Sequence, residues 1–238
     1  MSTATIFVAC FAPSLAFLGY FYLRDEYDRE PLHLVLTVFA GGMLAGPISL
    51  VLFEFIERTA FYGDLQSVDV VSDMTKLIYA VFGIGLIEEL SKFLVFWWFI
   101  HRRHVQLTEP VDAVIYAAAI ALGFATIENW YFMMAVEEPV WSRAITLPFN
   151  HVLFSSFWGV TAGLVATEAR GARLNLQGLT LAIVFHGLYD YVLFADSVSN
   201  FWVSPLVLIL WLWVSLAIKD LLNRSPFRPR ANPGREPE

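Results

Sequence analysis

Charge is what this sequence has little of. Lys, Arg, Asp and Glu make up 16% of its 238 residues against 58% hydrophobic, where soluble domains average about 25% charged and about 45–50% apolar. The scarcity runs along most of the chain. It excludes a disordered polymer, which needs low hydrophobicity and high charge, and it excludes a single anchor carrying a soluble catalytic head. Cysteine is nearly absent: Cys10 lies alone in an apolar run, has no internal disulfide partner, and reads as a small packing residue. No basic stripe accompanies a nucleic-acid motif, so nucleic acid is excluded as a partner. What is plentiful is aromatic, with 8 Trp, 9 Tyr and 21 Phe, as suits segment ends that meet a bilayer interface. The fold class that follows is all-α, a polytopic transmembrane helix bundle whose first partner is the lipid bilayer.

A helix needs about 20 apolar residues to cross the hydrocarbon core. Seven runs meet that need, at about 5–23, 33–56, 77–100, 110–134, 146–166, 176–195 and 201–219. The first has no basic start and is read as a retained span rather than a cleaved signal peptide. Arg24, Arg29, Arg102, Arg103, Arg170, Arg173, Lys219, Arg224, Arg228, Arg230 and Arg235 then share one side of the membrane, and Arg58, Lys76 and Arg143 share the other. By the positive-inside rule the N-terminus is outside and the C-terminus cytoplasmic. Residues 1–224 form one membrane domain. Residues 225–238 are polar and proline-rich, which predicts a disordered cytoplasmic tail. The long loop 57–76 has room for a short interfacial helix.

Ionisable groups inside spans are expensive, at roughly 2.5–3.5 kcal/mol each near a helix centre. The third span holds Glu88, Glu89 and Lys92. Lys92 lies i+4 from Glu88 and i+3 from Glu89, so both acids can reach it. Adjacent glutamates point about 100° apart, which predicts that one pairs with Lys92 while the other faces a cavity. The fourth span places Phe124 and Glu128 four apart on one face, the fifth brings His151, and the sixth places His186 and Asp190 four apart. An aspartate one turn from a histidine can hold the tautomer of the imidazole. At ~1.5 Å per residue, Glu88 and Glu89 lie about 17 Å below the outer boundary, His186 about 14 Å, and Glu128, His151 and Asp190 about 8–9 Å. A shared polar cavity in the outer half of the membrane follows. Single polar residues in spans commonly serve as interhelical ties worth roughly 0.6 kcal/mol, but so many at matching depth exceed that role. Trp97, Trp98, Trp130 and Tyr131 read as interfacial belt and packing. Asp25, Glu26, Asp28 and Glu30 read as solvated loop acids, and Asp112 as a charge at a span end, where charge is cheap.

These motifs carry a resemblance. Glu88-Glu89-Leu90-Ser91-Lys92, Phe124-Ala125-Thr126-Ile127-Glu128 and His186-Gly187-Leu188-Tyr189-Asp190 match, in order and on successive spans, the EExxK, FxxxE and HxxxD motifs of the PrsW family. That family of bacterial intramembrane proteases is related to the CAAX-processing and bacteriocin-immunity membrane proteases. His151 is similar to an additional family histidine, and Asp28-Arg29-Glu30-Pro31 to an acidic, proline-containing family stretch. The resemblance spans about residues 20–195. It implies a multi-pass protein of the bacterial cytoplasmic membrane that hydrolyses a peptide bond of a membrane-anchored protein, such as an anti-sigma factor, in a signalling cascade.

The residues expected to carry the reaction are Glu88, Glu89, Lys92, Glu128, His151, His186 and Asp190. Glu89 is favoured as the base that activates water, with Glu88 and Lys92 holding its geometry, although the two glutamates are interchangeable at this level. His151 and His186 either bind a metal or stabilise the oxyanion, and Asp190 orients His186. His151, His186 and Glu128 together make a three-ligand zinc site with an open fourth position. The HExxH of common zinc peptidases is missing, so zinc and metal-free hydrolysis both stay open. The competing class is a proton- or cation-coupled transporter using the same acids. Against it stand the absence of an internal repeat and of a clearly broken helix.

Overall fold

A computed structural model of the chain describes residues 2–58, 72–102 and 107–229. All of its regular structure is helical: α1 (Thr3–Tyr22), α2 (Leu32–Arg58), α3 (Asp73–Ile78), a π-helical stretch (Tyr79–Gly85), α4 (Leu86–Arg102), α5 (Asp112–Val136), α6 (Trp141–Thr167), α7 (Arg173–Phe194), a 3-10 turn (Asn200–Trp202) and α8 (Val203–Asn223). The seven expected runs fall on seven helical rods, the third being α3, the π stretch and α4 end to end. Among the described residues, five helices are long and apolar enough to cross a membrane by length and composition, those covering Thr3–Tyr22, Leu32–Ile56, Asp112–Val136, Arg173–Phe194 and Asn200–Asn223. The third rod and α6 fall outside these five. They are the rods that hold Glu88, Glu89, Lys92, His151 and Ser155.

The third rod also differs from the unbroken helix expected. Seven residues of π-helix, YAVFGIG, precede the glutamate pair. Runs of i→i+5 bonding are rare and concentrate at functional sites. The stretch shifts the register of everything after it relative to a plain α-helix.

At the centre stands α5, buried continuously from Asp112 to Thr126. A helix buried all round needs no polar stripe, and the run Tyr116–Gly123 (YAAAIALG) has none. It packs most extensively on α2 and α6. Small residues let membrane helices approach closely, and Gly123 shows why one is needed: a Cβ there would sit 2.0 Å from the carbonyl oxygen of Phe39. Gly187 plays the same part for α7, since its Cβ would lie 2.4 Å from Val81 Cα in the π stretch. That approach seats the HxxxD segment beside the glutamate pair. On the periphery, α8 turns Leu208, Ile209, Leu212 and Leu216 outward. Cys10 is buried with its thiol 3.7 Å from the Met133 sulfur, as its apolar setting predicts.

Two expectations are corrected at the opposite end of α5 from Val136. Asp25 and Glu30 are not solvated loop acids: they are 0% and 7% exposed. The α1–α2 loop folds onto the start of α5, where Tyr116 donates a hydrogen bond to Glu30 Oε2. Burial pushes the Asp25 carboxyl up to about 7 and raises that of Glu30. Asp112 is likewise fully buried, so its place at a helix end does not make its charge cheap. Residues 59–71, on which the interfacial-helix expectation largely falls, and 230–238, most of the expected disordered tail, lie outside the described residues. Within 225–229 the chain forms turns, with Arg228 N donating to Ser225 O.

Candidate active site

Glu88 and Glu89 occupy the first turn of α4, directly after the π stretch. Their surroundings are opposite in kind. The Glu89 carboxylate is fully buried and every side of it is occupied. Its Oε1 accepts from Lys92 Nζ at 2.7 Å and lies 3.1 Å from His186 Nδ1. Its Oε2 accepts from Ser155 Oγ at 2.9 Å and Trp158 Nε1 at 3.0 Å. Four donors from α4, α6 and α7 fill its four lone-pair sites, so Glu89 ties three helices together.

Lys92 is fully buried too. Its ammonium meets Glu89, lies 2.8 Å from His151 Nδ1, and rests 4.2 Å above the centre of the Phe124 ring. The phenylalanine of FxxxE is therefore a cation–π floor for the lysine of EExxK. Its glutamate, Glu128, bridges Arg143 at 2.6 Å through Oε1 and His151 Nε2 at 2.8 Å through Oε2.

Glu88 stands apart. Its Oε2 is 3.8 Å from Lys92 Nζ and 3.7 Å from His186 Nε2, and among the described residues it has no hydrogen-bond partner. Asp190 is similar, with Oδ2 3.5 Å from His186 Nε2 and no hydrogen bond. Both acids line a cavity of about 430 Å³, along with Glu128, Arg143, Asn150, His151 and His186. On α5, Glu128 is eight residues (~12 Å) from the Val136 end and sixteen residues (~24 Å) from Asp112. The cavity thus sits toward one end of the bundle.

Partner chemistry fixes the tautomers. A carboxylate only accepts, so His186 carries its proton on Nδ1 toward Glu89 and turns Nε2 to the cavity. An ammonium only donates, so His151 accepts from Lys92 at Nδ1 and donates from Nε2 to Glu128. The two rings are near-perpendicular, 84° apart with centroids at 5.1 Å, and Phe154 stacks on His186.

Donor atoms of Glu88, His151 and His186 lie within 4.8 Å of one another. Two nitrogens and one oxygen are a donor set that suits zinc, and the partnerless Glu88 Oε2 is an oxygen an ion would satisfy. Glu89 on the far nitrogen of His186 reproduces the carboxylate–histidine support of metal sites. His151 is the constrained member, because both its nitrogens are engaged.

All seven residues singled out from the sequence meet around this cavity or directly beneath it. Ser155, Trp158 and Arg143 were not foreseen. Ser155 and Trp158 lie i+4 and i+7 from His151, the same face of α6, so helical spacing from His151 was the available signal. Arg143 was counted as a loop charge, yet it stands two turns before His151 on the same helix.

Residues 30–218 match the family described as PrsW family intramembrane metalloprotease. The chain is 32% identical to Protease PrsW of Geobacillus kaustophilus, covering 93% of each chain. It is 31% identical to Protease PrsW of Bacillus subtilis over 89% of this chain and 92% of that one. It is 32% identical to Protease PrsW of Shouchella clausii over 94% and 98%. No solved structure matches it. With the motifs gathered around one cavity and family similarity over nearly its whole length, this multi-pass bacterial membrane protein belongs to the PrsW family of intramembrane metalloproteases.

Proposed function

We propose that the protein cleaves a membrane-anchored substrate, such as a single-span anti-sigma factor, near the extracytoplasmic side, with Glu88 rather than Glu89 as the carboxylate that meets the attacking water. The observation that carries this reading is the contrast between the two glutamates. Glu89 has no lone pair left for water, whereas Glu88 Oε2 is buried, partnerless and on the cavity wall. A base must be within reach of the proton it takes.

In this reading Glu88 removes a proton from water as the oxygen attacks the scissile carbonyl, and passes it to the leaving amine. His186 lies across the cavity, with Nε2 between Glu88 and Asp190; when a second proton is held there, Nε2 donates to the oxygen that gains charge. Glu128 and Arg143 set the position of His151. If an ion is held, Glu88, His151 and His186 would hold it, Glu88 through one oxygen with the other still facing water, and His151 by exchanging its contact with Lys92 for the ion. Glu128, expected from the sequence as a ligand, is held by Arg143 and by the Nε2 of His151, and in this reading supports that histidine. A bound zinc would supply a water ionised near neutral pH.

The orientation rests on the distribution of Lys and Arg, which favours an N-terminus outside and the Val136 end of α5 on the extracytoplasmic side. The cavity then opens toward the outer half of the bilayer.

The test is mass-spectrometric mapping of new protein N-termini in membranes expressing wild-type or Glu88→Gln protein. Termini found only with wild-type, near the outer ends of single spans, are the expected result. Identical termini from both, with both proteins folded and expressed, would overturn the assignment of Glu88.

A further inference from the structure

A second group of acids lies about 24 Å along α5 from Glu128, and the reaction does not use it. Asp25 comes from the loop after α1, Glu109 from the turn before α5, and Asp112 from its first residue. All three are 0% exposed, and one oxygen of each lies within 4.8 Å of the others.

The backbone has already oriented two of them. Asp25 Oδ2 accepts from Glu30 N at 2.8 Å, and Asp112 Oδ2 accepts from Thr108 N at 2.7 Å and Glu109 N at 2.9 Å. Among the described residues, no donor reaches the oxygens left over: Asp25 Oδ1, Asp112 Oδ1 and both oxygens of Glu109. Glu109 is the independent sign: it is wholly out of water and aimed into the cluster, among the described residues no N–H or hydroxyl donor reaches either of its oxygens, and its near neighbour is another acid, Asp25.

Among the described residues no Lys or Arg pairs with any of the three. Arg29, close in sequence, gives its Nε to the Asp25 backbone carbonyl and packs over Tyr22. Buried charges are normally paired or bound to metal. Four free carboxylate oxygens and no nitrogen or sulfur are the donors of a hard divalent cation, not of zinc.

We infer that Asp25, Glu109 and Asp112 form a binding site for a hard divalent cation of the calcium, magnesium or manganese class, separate from the catalytic cavity. Such an ion clamps the α1–α2 loop onto the start of α5, the helix at the centre of the bundle.

Manganese is the probe, with the full-length protein purified in detergent and stripped with chelator. Paramagnetic resonance of free Mn²⁺ counts ions bound per chain, and thermal melting reads the clamp. Wild-type is expected to bind one Mn²⁺ that calcium or magnesium displaces. Its Tm rises by about 5–10 °C at a hundredfold excess over Kd. Glu109→Gln is expected to weaken binding at least about tenfold, while Glu88→Gln, in the other cavity, retains it. If Glu109→Gln does not fold, Asp25→Asn replaces it. No bound ion and no Tm shift in wild-type would mean that the cluster holds only shared protons, and would overturn the site. So would Mn²⁺ lost in Glu88→Gln but kept in both acidic-cluster variants.

Discussion

Replacing each glutamate of the pair by glutamine should separate a structural role from a catalytic one. In Glu89→Gln the side chain keeps its size but exchanges one acceptor oxygen for an NH2 donor. Four donors surround that site: Lys92, His186, Ser155 and Trp158. Either orientation of the amide therefore sets NH2 against two of them, and the buried Lys92 loses its carboxylate. Breaking a buried ion pair from one side costs roughly 3–5 kcal/mol, or a fall in Tm of roughly 6–20 °C for a chain of this length. In Glu88→Gln the Lys92 ammonium is 3.8 Å away and His186 Nε2 3.7 Å away, and no hydrogen bond is lost. Its Tm should stay within about 3 °C of wild-type, while loss of a general base lowers cleavage by roughly 10²–10⁴-fold. The assays are thermal melting in detergent and cleavage of a reconstituted membrane-anchored substrate. A Glu89→Gln protein that melts like wild-type, beside a Glu88→Gln protein that still cleaves, would refute the division between them.

Two further substitutions test the supports. Lys92→Met strands the Glu89 charge and should cost roughly 3–5 kcal/mol. Combined with Glu89→Gln it should cost less than the two singles added, with a coupling of roughly 1–3 kcal/mol read from a double-mutant cycle of melts. Gly187→Ala drives a methyl to 2.4 Å from Val81 Cα, where backbone rather than a side-chain tip must yield. A cost of about 1–3 kcal/mol is expected, with cleavage falling by roughly 10²-fold as His186 is displaced from the glutamate pair. Unchanged turnover in that variant would show that the close approach of α7 to the π stretch does not position the site.

Much of the bundle was legible because membranes make two things expensive. Crossing hydrocarbon requires length, so the apolar runs marked the rods. Charge in hydrocarbon requires a reason, so Glu88, Glu89, Lys92, Glu128, His151, His186 and Asp190 stood out. Depth arithmetic then assigned the acids and histidines to one half of the membrane. Less legible were groups whose role depends on a neighbour in space. Trp158 looks like packing in a chain with 8 Trp, and only its indole hydrogen bond to Glu89 gives it another part. Arg143 looked like a loop charge because α6 begins earlier than the apolar run does, at Trp141. Asp25 and Asp112 sit where sequence predicts water. Nothing in the one-dimensional pattern says that the α1–α2 loop covers the end of α5.

The roles within the glutamate pair show where periodicity stops. Both acids are within reach of Lys92 at helical spacing, and a regular helix fixes only that they diverge by about 100°. All three residues turn together with α4, so the pairing is decided by which acid the neighbouring helices surround with donors. That depends on the rotation of α4 about its axis, which follows from the π stretch before Leu86 and from the close approach of α7 at Gly187 to Val81. With α4 so placed, Glu89 meets Lys92, Ser155, Trp158 and His186, and Glu88 is left on the cavity wall. The saturation of one carboxylate makes the other available: a cation and three further donors hold α4 in place through Glu89, while its neighbour keeps lone pairs for water. A single glutamate at this point could not serve both ends, because the contacts that hold the helix would occupy the oxygens the reaction needs.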